Sequence, residues 1–294
     1  MKSMKKVLAL LLVLVMVLAA CGGNGTKTGD TTGDTTGASG AINVVSREDG
    51  SGTRGAFVEI VGVVDANDED ATSPEASIQS GTGKVIAAVS QDDRAIGYIS
   101  LGSLDSTVKA LKIDGVEATE ANVLSGDYKI QRPLLFVYKT EAGLSDVAKD
   151  FLAYAKSKEG QDIAVAEGFV KSFTDSEAFT KTEGLSGSVS ITGSTSVGPL
   201  AAVLAEEYMK LNPDVKIEIQ ESGSGAGIKE AMEGANDIGM SSRELKAEET
   251  LEQTVVAKDG IAVVVAPSNP TEDISLANIK EIYLGNLTKW EDVK

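Results

Sequence analysis

The segment SREDGSGTRGAF, Ser46 to Phe57, holds two arginines, two carboxylates and a Gly-Ser-Gly-Thr run directly before residues that favour a helix. Two further segments share its composition: GSTSVGPL from Gly193, and ESGSGAGIKEAMEG from Glu221. A fourth, Asp237 to Arg243, adds two hydroxyls and an arginine. Backbone N–H groups at a helix N-terminus, joined by Ser and Thr hydroxyls, point partial positive charge at an anion. One such turn is ordinary cap and turn chemistry. Four of them make a constellation suited to a small, enclosed oxyanion, because neutral donors are cheaper to desolvate than lysines. A guanidinium fork matches an oxyanion, so Arg47 reads as the anion-facing charge, with Asp49 orienting it.

Other chemistries find little support. The chain has no histidine, which removes Ser-His-Asp and Cys-His catalysis and histidine zinc sites. Gln79-Ser-Gly-Thr-Gly-Lys84 lacks the first glycine and the closing Ser/Thr of a P-loop, and Gly223 to Gly227 has the wrong spacing for a dinucleotide fingerprint. Asp65 to Asp70 lacks the turn glycine and terminal glutamate of a calcium loop and reads as a solvated acidic turn. Neither a metal nor a cofactor is expected. A net charge of −17, more negative once the leader's lysines are removed, argues against nucleic acid as a partner.

The elements that must position these loops follow from pattern. Ile42–Val45, Val85–Val89, Leu134–Tyr138, Val189–Thr192, Val215–Gln220 and Ile261–Val265 read as strands. Helices are expected after Pro199, over Val147–Lys158, over Gly227–Gly234 and over Leu276–Leu284. Alternation of strand and helix predicts an α/β fold with mostly parallel strands, whose ligands collect at the carboxyl ends of strands. Three of the Gly/Ser-rich loops follow such ends. Trp290 reads as structural.

The first forty residues have another character. Lys2, Lys5 and Lys6 precede an apolar run, Val7 to Leu18, too short to span a bilayer, and Leu18-Ala-Ala-Cys21 follows. Residues 1–20 are therefore expected to be a signal peptide, and 21–40 a flexible tether without large apolar residues. Cys21 is the only cysteine, and its setting resembles a bacterial lipobox. That resemblance implies a diacylglycerol thioether at Cys21, with the amine open to acylation as well, and a lipoprotein at the outer face of the cytoplasmic membrane.

GSTSVGP, SGSGAGIK, NDIGMSSRELK and SREDGSGTRGAF together resemble the phosphate-binding protein of the bacterial phosphate ABC transporter, the PstS family. So do VVAKDGIAVVV, NIKEIYLGNLTKW, AIGYISLGSL and KDFLAYAKSKEGQDIAVAEGFV. The resemblance implies a two-lobed, periplasmic-binding-protein-like (type II) α/β fold with hinge strands, closing on dehydrated phosphate in an interlobe cleft. It implies a monomeric receptor that delivers phosphate to permease subunits and performs no catalysis. The alternatives are an extracellular phosphohydrolase or a non-transporting phosphate sensor. Matching positions give Arg47, Ser51, Gly52, Thr53, Thr195, Ser196, Ser224 and Ser242 as phosphate-binding residues, with Asp49 holding Arg47. Ser242 stands where better-known members carry an aspartate, which weakens the expected rejection of sulfate. The two halves also run in exchanged order, as in a circular permutant or a frame cut from a tandem array. One lobe is expected from 41–132 plus 269–294, the other from 139–267.

Overall fold

The computed structural model describes residues 39–173 and 175–294; the expected signal peptide, the lipidation of Cys21 and nearly all of the tether lie outside them. Strand β1 (Asn43–Arg47) leads through a turn at Gly50 into helix α1 (Gly52–Val61). The Ser51 hydroxyl caps that helix by accepting from the Arg54 N–H, and Gly62, with φ of 76°, ends it by donating to the Val58 carbonyl. A short β2 (Ser77–Gln79) then enters α2 (Thr82–Ser90), which packs on β3 (Ala95–Ser100). Val85–Val89, expected as a strand, is thus helical. The reason is spacing: Val85 and Val89 lie four apart, both fully buried against Gly97, where a Cβ would come within 2.8 Å of Val89.

Small pairs β4 (Lys109–Ala110) and β5 (Lys112–Ile113) and helix α3 (Glu120–Ser125) lead to β6 (Gln131–Tyr138). Helices α4 (Asp146–Lys156) and α5 (Lys158–Ala166) and the short β7 (Val170–Lys171) follow. The remaining units are β8 (Gly187–Gly193) into α6 (Gly198–Leu211), β9 (Val215–Glu221) into α7 (Ser224–Glu233), and β10 (Ile238–Ser241). The chain closes with a fourteen-residue β11 (Glu252–Val265), β12 (Asp273–Ile274) and α8 (Leu276–Tyr283).

The main sheet runs β2-β1-β3-β11-β6-β10-β8-β9. Its two ends are parallel triplets, while β3, β11, β6 and β10 pair antiparallel in the middle. The mostly parallel expectation therefore holds only at the ends. The long β11 pairs with β6 over its first part and with β3 over its last, so it passes from one half to the other.

Two main cores lie on either side of that passage. One gathers Ile42, Phe57, Tyr98, Ile261, Val263, Tyr283 and Trp290, with Phe57 stacked on Tyr98 at 4.0 Å. The other gathers Leu134, Phe136, Phe151, Ile191, Leu200, Tyr208 and Ala257. The change of partners falls within β11, between Ala257 and Ile261: Ile261, Val263 and Val265 pack with the first core, and Ala262 and Val264 with Val45, Val85 and Val89. A strand shared by two cores carries no composition change at the crossing. The start of the described residues meets the C-terminal segment: Ala41 bridges Lys289, and Trp290 donates its backbone N–H to the Gly40 carbonyl. Within the second half, Phe179 packs on Tyr154 and Tyr208, and Thr182 donates to Asp150.

Candidate functional site

Arg47 is the last residue of β1, and only 1% of its surface is exposed. Its Nε and Nη2 both donate to Glu48 at 2.8 Å, and Nη2 also donates to the Thr195 hydroxyl at 3.0 Å. Nη1 lies 3.4 Å from the hydroxyls of Thr53 and Thr82. Behind it, Arg54 donates to the Arg47 carbonyl, and the Tyr98 hydroxyl meets both Ser46 and the Arg47 N–H. A long cationic side chain in an interior position requires such compensation.

The second half presents the N-terminal ends of α6 and α7. Ser194, Thr195 and Ser196 form the turn from β8 into α6, and the Ser194 hydroxyl accepts from the Ser196 and Val197 N–H groups. It also donates to the Ser242 hydroxyl at 2.9 Å, while Ser224, at the start of α7, accepts from the Ser242 N–H at 3.1 Å. The halves meet directly. Thr53 and Ser196 hydroxyls are 2.9 Å apart, Thr82 and Thr195 hydroxyls 3.4 Å, and the Gly225 N–H donates to the Gly50 carbonyl at 2.9 Å. Gly52 makes this approach possible, since a Cβ there would fall 2.3 Å from Ser224 Oγ and 2.6 Å from Ser242 Oγ.

Burial pushes the Glu48 carboxyl up, but the hydrogen bond and charge of Arg47, with the Gly81 N–H, outweigh it and hold it below its ordinary value. Burial raises the Tyr98 hydroxyl to about 12, so it stays protonated and able to donate. A second buried ion pair joins register partners on the antiparallel neighbours β6 and β11: Arg132 donates to Asp259 through Nε at 3.1 Å and Nη2 at 2.9 Å. Its Nη1 donates to the Ser242 carbonyl at 3.2 Å. Burial pushes the Asp259 carboxyl up, against the pull of Arg132.

The structure brings Arg47, Ser51, Gly52, Thr53, Thr195, Ser196, Ser224 and Ser242 into one cluster, all buried except the half-buried Thr195. Asp49 is not part of it. Its carboxylate is exposed and lies 3.3 Å from Arg54, while Glu48 grips Arg47. The longer glutamate reaches back to its neighbour's fork and to the Gly81 N–H, and Arg54 draws the shorter aspartate outward. Sequence reasoning also missed Thr82, Ser194, Arg132 and Asp259. The signal for Thr82 was present, because Ser80-Gly-Thr-Gly repeats the composition of the other loops after β2 and before a helix. Arg132 and Asp259, 127 positions apart, gave none. Arg243, in the fourth loop, turns away to a bidentate pair with Glu249 at 2.6 and 2.8 Å.

Chemically, a guanidinium, eight Ser and Thr hydroxyls and the first turns of α1, α6 and α7 form a donor-rich, nearly enclosed set. Such a set grips a small oxyanion. Among the described residues no group of three or more His, Cys, Asp or Glu is placed to hold a metal, and no helix is long and apolar enough to cross a membrane.

Comparison with known proteins agrees with this geometry. A PBP superfamily domain model matches residues 27–159 and 180–294. The phosphate-binding protein PstS 2 of Streptococcus pneumoniae (TIGR4) is 44% identical over 282 residues, 94% of each chain. That of Streptococcus agalactiae (2603 V/R) is 42% identical over 284 residues, 94% of this chain and 93% of its own. A crystal structure of a phosphate-binding protein of a phosphate ABC transporter from Streptococcus pneumoniae TIGR4 aligns with a TM-score of 0.71 at 45% identity, covering 87% of this chain and 100% of that one. On sequence over nearly its whole length and on fold, this chain belongs to the PBP superfamily and, within it, to the PstS family of phosphate-binding proteins.

Proposed function

We propose that the protein captures inorganic phosphate in the cleft around Arg47 and presents it to the permease of an ABC importer. The carrying observation is the convergence of hydroxyls from both halves on one buried guanidinium. Most of these hydroxyls are satisfied by one another, at 2.9 to 3.4 Å. A tetrahedral anion replaces such contacts at little cost, because every hydroxyl given up by a neighbour is taken by an anion oxygen. The expected ligands are Arg47, Ser51, Gly52, Thr53, Thr195, Ser196, Ser224 and Ser242, and Thr82 joins them on its distance to Arg47.

The same reading makes the protein a binder without catalysis: the cluster pairs no nucleophile with a general base positioned to activate it. Its place is the outer face of the cytoplasmic membrane, where a lipid on Cys21 would tether a monomer. The exchanged order of the halves, as a circular permutant or a frame cut from a tandem array, belongs to the same proposal; the streptococcal relatives align over 94% of this chain. The meeting of Ala41 with Lys289 supports a trap closed from both ends of the described chain. Titration calorimetry with phosphate, sulfate and arsenate tests the reading; turnover of a phosphomonoester would replace it with a hydrolase.

A further inference from the structure

The Arg132–Asp259 pair is the most completely buried ion pair among the described residues, at 1% and 0% side-chain exposure, and it lies outside the expected ligand set. An isolated pair of this kind is a poor source of stability, because desolvation consumes much of its attraction. Its connections suggest a different use. Arg132 and Asp259 are register partners on the antiparallel neighbours β6 and β11, and β11 is the strand that passes from one half to the other. From Arg132, Nη1 reaches into the second half to the Ser242 carbonyl. From Asp259, the other carboxylate oxygen accepts the Leu101 N–H of the first half at 3.1 Å. One ion pair therefore joins the Ser242 loop to the opposite half through these two strands.

Ser242 needs such a hold. Its hydroxyl is placed against Ser194 and Ser224, and its N–H is fixed by Ser224 alone. The 242–243 peptide is held at both ends: its N–H, that of Arg243, donates to the Ser241 hydroxyl at 3.3 Å, and its carbonyl accepts from Arg132 at 3.2 Å. Only Arg132 meets that carbonyl through a side chain among the described residues.

Accepting the phosphate reading above, we propose that Arg132 is a positioning residue of the anion site: anchored by Asp259 on the neighbouring strand, it fixes the Ser242 loop in the orientation that contacts the oxyanion. A guanidinium suits this task because its planar fork serves the carboxylate and the carbonyl together. A lysine at the same place satisfies the carboxylate but not both partners at once.

The test is phosphate titration calorimetry on the wild type, Arg132→Lys, Ser242→Ala and the double variant, with thermal unfolding measured without phosphate. Arg132→Lys should fold and weaken phosphate binding by at least about tenfold, equivalent to ~1.4 kcal/mol. Ser242→Ala should weaken the wild type, yet cost less than about twofold more in the Arg132→Lys background, because both changes remove one positioned contact. A purely structural pair would lower the unfolding temperature and leave the two binding losses multiplicative. Wild-type affinity in a folded Arg132→Lys variant, or multiplicative losses, overturns the proposal. Should Arg132→Lys fail to fold, the charge-neutral pair Arg132→Gln with Asp259→Asn carries the same cycle with Ser242→Ala. A wild type that does not bind phosphate refutes the functional reading instead, so the two failures are distinguishable.

Discussion

Replacing Arg47 with alanine removes the positive charge at the centre of the cluster. Five contacts disappear: two with Glu48, one each with Thr53, Thr82 and Thr195. Truncating one partner of a buried, hydrogen-bonded charge pair costs about 2 to 5 kcal/mol, which is roughly 30- to 5,000-fold in affinity. Part of that loss is the Glu48 carboxylate left facing the anion without its partner, so Arg47→Ala with Glu48→Gln should recover some affinity but not all. Arg243→Ala is the matched control, since that guanidinium is committed to Glu249. It should leave phosphate affinity within about fivefold, a difference under ~1 kcal/mol. Calorimetry reads all four proteins, and thermal unfolding without phosphate separates folding from binding. Equal losses at Arg47 and Arg243 would refute the assignment of the anion to this cluster. So would full recovery in the double variant, which would show that only the stranded carboxylate mattered.

Three further outcomes follow from the geometry. Ser242→Asp should raise the ratio of phosphate to sulfate affinity in competition titrations, because a carboxylate accepts the proton of hydrogen phosphate and repels an anion that carries none. Gly52→Ala places a Cβ 2.3 Å from Ser224 Oγ, so it should hold the halves apart: small-angle scattering would show a larger radius with phosphate present than in wild type, and affinity should fall. Glu48 is held below 4.5, its ordinary value. Its stabilising contribution is therefore complete above that pH and is lost as pH falls through the depressed folded value. The unfolding temperature of Glu48→Gln should accordingly fall less steeply than wild type on acidification below 4.5.

Much of the site could be read in the sequence because its parts are local. A short apolar strand, a Gly and Ser/Thr turn and an amphipathic helix are contiguous, and β1–α1, β8–α6 and β9–α7 each carry that signature. What escaped was decided by distance or by side-chain reach. Val85–Val89 has strand-like composition, and only its burial on one helical face reveals α2. That misreading hid Thr82 at the N-terminal end of the same helix. Glu48 and Asp49 are adjacent carboxylates, and the choice between them depends on Gly81 and Arg54, which only folding brings near. The Arg132–Asp259 pair depends on the register of β6 against β11, which no local pattern encodes.

One titration of the purified protein tests whether inorganic phosphate binds at Arg47. Saturable one-to-one binding is expected, with a dissociation constant of about micromolar or tighter, at least ~8 kcal/mol, and weaker binding of sulfate. No heat and no shift in unfolding temperature at millimolar phosphate, or sulfate bound more tightly than phosphate, would contradict it.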